Sequence, residues 1–135
     1  MKACNYLFAL TLALATLLSA GCASLGNHES ALDTSLRAYE SALRWQRYDV
    51  ALSLHADPSQ VPMPTHLAAI RVTGFDGGPP VFSADGLHAE RSVSIRYFHV
   101  DYQSERTLAD RQQWVYDKDT GQWRITSPFP AFPYE

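Results

Sequence analysis

Apolar residues recur with two different periods along this chain, and the change of period divides it into a helical first part and an extended second part. Leu32, Leu36, Tyr39 and Leu43 stand four, three and four residues apart, which stacks them on one face of a helix beginning near Ser30. Arg37, Glu40, Ser41 and Arg44 fill the opposite face. Asp49 reads as the cap of a second short helix bearing Val50, Ala51 or Leu52, and Leu54; Pro58 ends it, and Pro62 and Pro64 keep the next residues extended.

After Thr65 the period falls to two. Ile70 and Val72 alternate with Arg71 and Thr73, Gly74 to Pro80 reads as a connection, Val81-Phe82 as a brief strand, and Ser83-Ala84-Asp85-Gly86 as a tight turn. His88 to Tyr102 is the longest extended run. Val93, Ile95 and Tyr97 lie on one phase, while Phe98, Val100 and Tyr102 lie on the other, which predicts a β-bulge near Tyr97-Phe98. Thr107 to Tyr116 follows as a strand with Leu108, Trp114 and Tyr116 on one side. Asp117 to Gly121 is a hairpin loop, and Gln122 to Ser127 returns with Trp123 and Ile125 in phase. The prolines of Pro128-Phe129-Pro130-Ala131-Phe132-Pro133 cannot donate along a ladder, so this tail is expected as an extended strip over a sheet edge or on a partner.

Helices followed by a bent antiparallel sheet make an α+β domain. The phases send Tyr39, Leu43, Val93, Ile95, Trp114, Trp123 and Ile125 inward as a packed core, with Tyr97, Asp110 and Gln112 as the polar candidates for an interior pocket. Arg96, Arg111 and Arg124 fall on polar phases of separate strands. They stand either as a guanidinium stripe that grips carboxylate or phosphate on a partner, or as solvated residues paired with Glu90, Asp101 or Asp110. Three histidines precede a carboxylate by two positions, His55 with Asp57, His88 with Glu90 and His99 with Asp101. On a strand that spacing puts both side chains on one face, so the last two pairs have the arrangement of two metal ligands or of a base with its orienting acid, but all three pairs are expected to face solvent.

The N-terminal segment has its own pattern: Met1-Lys2, an apolar run from Tyr6 to Leu18, then Ser19-Ala20-Gly21 before Cys22. Those are the three parts of a secretory signal, and the run is shorter than the roughly 20 residues of a membrane span. The other cysteine, Cys4, lies inside the leader, so the remaining domain has no disulfide. With Lys2 gone, 10 Lys and Arg stand against 14 Asp and Glu over 114 residues, a net charge of −4. No basic stretch is present, which argues against nucleic-acid binding. The chain carries no Gly-x-Ser-x-Gly, His-Glu-x-x-His, phosphate loop or Cys-x-x-Cys, and neither a metal nor a cofactor is expected.

Leu18-Ser19-Ala20-Gly21-Cys22 resembles the lipobox of bacterial lipoprotein precursors, although Ser19 stands where that family usually has leucine. The resemblance implies cleavage after residue 21, acylation of Cys22 and a tether to residue 29. Ala23 and Ser24 after the cysteine imply the outer membrane, facing the periplasm. Each buried CH₂ of an acyl chain contributes about 0.8 kcal/mol, so several chains hold such a protein on the bilayer. Residues 42–52, with Trp114-Val115-Tyr116 and Gln122 to Ile125, make residues 30–127 resemble the NTF2-like, cystatin-like group of cone-shaped folds, with 128–135 as a separate tail. The third helix common in that group is not evident. Two functions follow as expectations: a non-catalytic binding or assembly domain that meets an envelope protein or polymer, or a small-molecule-binding protein or enzyme that uses the cone as its pocket.

Overall fold

The computed structural model describes residues 26–133. The signal-like segment, Cys22 and the first part of the tether lie outside the described residues. Helix α1 runs over residues 26–44, so residues 26–29, expected as tether, already belong to the helix. Its apolar stripe is buried as the spacing requires: Leu32, Tyr39 and Leu43 are fully enclosed and Leu36 nearly so. The helix ends in a Schellman motif. Gln46 takes a positive φ of 57°, its amide bonds Leu43 O at 3.3 Å, and Arg47 N bonds Ala42 O at 2.8 Å. Helix α2 spans Tyr48–Ser53; Asp49 lies within its first turn, and Arg47, with no side-chain cap, precedes it. Two 3-10 turns, Pro58–Gln60 and Leu67–Ala69, lead into the sheet.

The sheet has five antiparallel strands: β1 Ile70–Gly77, β2 Val81–Phe82, β3 His88–His99, β4 Arg106–Asp117 and β5 Gln122–Ile125. The order is β1-β3-β4-β5, and β2 pairs with the start of β3 on the same side as β1. Strand β1 therefore continues through residues expected as connection, leaving Gly78-Pro79-Pro80 as the link to β2. Helix α1 packs against the curled face of this sheet, which gives an α+β half-barrel.

The bulge lies in a different strand from the one expected. The register slips between Val72 and Gly74 of β1, opposite Tyr97 and Arg96, while β3 keeps its alternation to the end. Ala89, Val93, Ile95 and Tyr97 are all buried on the concave face, and His99 continues that line with its side chain 12 % exposed. Val100 to Tyr102 are past the strand, and Tyr102 is exposed. The apparent change of phase marked the end of β3 and not a kink within it.

The C-terminal tail belongs to the core. Phe129 and Phe132 are buried, the Tyr97 hydroxyl donates to Pro133 O at 2.6 Å, and Phe132 packs edge-on to Tyr97 with ring centroids 5.2 Å apart. His66 Nε2 lies 2.8 Å from Phe132 O. Phe132 holds a positive φ of 41°, a conformation bulky residues avoid, so its packing must outweigh the strain. A tail rich in proline lacks ladder donors, yet two aromatic rings supply enough apolar area to fix it in place.

Candidate functional site

Three regions carry chemistry, and strand alternation assigns each of them to a face. On the concave face, Asp110, Gln112 and Trp114 follow one another along β4, and Tyr39 of α1 packs over them. The Tyr39 and Trp114 rings meet edge-on at 5.9 Å, and Tyr39 meets the His55 ring at 6.0 Å. His55 reaches this interior because a parallel bridge ties it to Ile125, and its ring stacks on Phe129 at 6.1 Å. It is 2 % exposed, which corrects the solvent-facing expectation; its carboxylate neighbour Asp57 points away and accepts from Ser59 N.

Gln112 Nε2 donates to Asp110 Oδ2 at 3.0 Å. Burial raises the Asp110 carboxyl above the ordinary range, and the Gln112 bond opposes that. Burial, with the nearby Asp110 charge, raises the Tyr39 phenol too, and burial lowers the His55 imidazole. Four buried polar atoms among the described residues have no hydrogen-bond partner in the protein: Tyr39 Oη, His55 Nε2, Gln112 Oε1 and Trp114 Nε1. Each such atom costs about 1–3 kcal/mol if left unpaired, so four together approach the whole net stability of a small domain, about 5–15 kcal/mol.

Of the three interior candidates, Asp110 and Gln112 are joined, whereas Tyr97 stands apart under the tail. Arg91, on the same inward phase as Ala89 and Val93, escaped the sequence reading. Its guanidinium meets Glu40 Oε1 of α1 at 2.7 Å and Gly78 O at 3.0 Å, with the two side chains only 14 % and 25 % exposed. Extending the Val93-Ile95 alternation two residues backward would have found it. His55 left no such signal, because its burial depends on a contact with a strand 70 residues away.

The outer face carries Arg96, Arg111 and Arg124, as their phases require. They stand apart: Arg96 is opposite Thr107, Arg111 opposite Ser92, and Arg124 opposite Val115. Thr107, Arg111 and Val115 lie four residues apart on β4, roughly 13 Å per step. Arg111 pairs with Glu90 at 2.8 Å, Arg124 donates to Ser53 O at 3.0 Å, and Arg96 lies across Gly74, where a Cβ would collide with its guanidinium. His88 approaches Asp85 at 3.7 Å while Glu90 is taken by Arg111; only His99 and Asp101 meet as a pair, at 3.6 Å. Among the described residues, no three His, Cys, Asp or Glu side chains form a group able to hold a metal ion.

The third region is a groove of about 610 Å³ along the Gly78-Pro79-Pro80 link, β2 and the start of β3. Arg91, Arg111 and Glu90 line it beside the apolar Val81 and Phe82, and Val81 is 72 % exposed. A second open groove, about 490 Å³, lies between α2 and β5 and is bordered by Asp117 and Arg124. The bonds from the Thr120 hydroxyl and then the Asp119 amide hold the Asp117 carboxyl below its usual range, with a smaller contribution from the Arg124 charge.

Fold and sites together define an α+β protein in which a helix and the chain's own tail fill the hollow of a curled sheet. The chain matches no known family model, no curated protein and no solved structure.

Proposed function

We propose that this chain is a lipid-anchored protein of the bacterial envelope, with an NTF2-like domain that binds or assembles with an envelope protein or polymer through its outer surface, without catalysis. The observation that carries the surface reading is where the free space lies. Tyr39, Trp114, Tyr97 and Phe132 are fully buried inside the cone, whereas the groove of about 610 Å³ is external and mixes apolar Val81 and Phe82 with the charged Arg91, Arg111 and Glu90. Such a blend of an apolar centre and a charged border suits a protein or polymer surface. The anchor rests on the segment ending at Cys22 and on a domain with no second thiol. Among the described residues no helix is long and apolar enough to cross a membrane. In this reading the attachment is at an acylated Cys22, and the Ala23 and Ser24 that follow it support the outer membrane, facing the periplasm.

Replacing Cys22 by Ser is expected to move the protein from the membrane fraction to the soluble fraction of its host; unchanged fractionation would refute the anchor. A photo-crosslinker at Val81 is expected to capture an envelope component that one at Asp101, an exposed residue past the other end of β3, does not. Equal capture at both positions would remove the groove from the reading.

A further inference from the structure

We propose that the concave face beneath α1 is a wet site, enclosing bound water held by Tyr39 Oη, Gln112 Oε1, Trp114 Nε1 and His55 Nε2. All four residues are at least nine-tenths buried, and none of the four atoms has a protein partner. They belong to one neighbourhood. Tyr39 touches the rings of both His55 and Trp114, at 6.0 and 5.9 Å, and Gln112 lies two residues before Trp114 on the same face of β4.

The chemistry of the four atoms specifies their complement. The indole N–H only donates, the amide oxygen only accepts, the phenol does both, and the imidazole nitrogen takes whichever role its tautomer leaves. The occupant must therefore both donate and accept, and it must be neutral. Arg91, opposite Gln112 on β3, is already paired with Glu40, and Asp110 is engaged by Gln112. An apolar occupant would leave all four atoms unpaired. Ring centroids about 6 Å apart at steep angles are edge-on contacts, so an occupant lies at the rim of the rings and must be small; water, which typically makes about three bonds to such groups, meets every condition. Buried water would also let Tyr39 hold α1 to the sheet through polar bonds in the middle of an aromatic core. This site is independent of the anchor and of the outer groove.

A crystal structure of the purified chain at a resolution that shows ordered solvent tests the site. The expected result is at least one water bonded to two or more of the four atoms. Direct bonds among the four side chains with no solvent between them would overturn it, as would density too large for water, which would instead favour the cone as a pocket for a small organic molecule. In solution, the Trp114 indole proton should show a nuclear Overhauser effect to long-lived water, lost in the double variant Tyr39→Phe/Gln112→Met. If that variant does not fold, Tyr39→Phe alone should weaken the same signal. An effect absent from the wild type, or unchanged in a folded variant, would overturn the site.

Discussion

On strand β4, the residues at 110, 112 and 114 and those at 109, 111 and 113 are one position apart and live in different solvents. The first set lies under α1, where Gln112 and Trp114 are almost wholly buried and the Asp110 carboxyl resists ionisation. The second faces water, where Arg111 and Glu90 form a 2.8 Å pair with side chains 73 % and 50 % exposed. Their geometry is good, yet water and salt screen such a pair, and exposed ion pairs contribute about 0–1 kcal/mol. Polar chemistry on the inner face is therefore consequential, while on the outer face it is available for partners and nearly neutral for the fold.

The predictions probe that contrast, beginning with the strongest. Trp123 is fully buried and its Nε1 donates to His28 O at 2.9 Å, so Trp123→Ala should destabilise the fold by about 3–5 kcal/mol in chemical denaturation. A near-neutral result would break the assignment of β5 to the inner face. Phe132→Ala should cost about 3 kcal/mol. A value near zero would return the tail to a surface strip. Arg91→Met removes a half-sheltered partner of Glu40 and should cost about 1–2 kcal/mol by the same measurement.

His55 sharpens the comparison through pH. Burial lowers its folded-state pKa below the ordinary 6.5, so the native state takes up a proton less readily than the unfolded chain. Stability is fully present above about pH 6.5 and should fall as pH drops from there through the lower folded value. His55→Gln should flatten that limb; an unchanged profile would place the titration elsewhere. Asp110 works in the opposite sense. Its raised folded value favours the protonated form, so its contribution is present below the unfolded pKa, near 3.8, and fades as pH rises through the folded value. Last and smallest, Arg111→Ala should change stability by no more than about 0.5 kcal/mol. A larger loss would show that the outer face is not merely solvated.

Much of the fold was legible because alternation and helical spacing are local properties. The stripe from Leu32 to Leu43 and the phase of Trp114, Trp123 and Ile125 could be read from neighbours a few residues away. Boundaries were less legible: a strand β1 running on to Gly77 and a bulge in β1 where the pattern pointed to β3 both depend on a pairing partner. The candidate site was half visible. Asp110 and Gln112 were named as interior from their phase, but Tyr39 passed for plain core, and the burial of His55 had no local mark.

The residue pattern alone determined the order of elements, the side of the sheet faced by most residues of β3, β4 and β5, the mild acidity and the composition of the segment ending at Cys22, because each follows from covalent spacing or composition. Tertiary structure alone decided that the tail packs into the hollow of the curled sheet, that His55 sits beside Tyr39, and that the three arginines of the outer face stand apart. Those outcomes turn on contacts between residues tens of positions apart, His55 with Ile125 and Tyr97 with Pro133 among them. Such contacts come from packing a particular volume, and no local period encodes them.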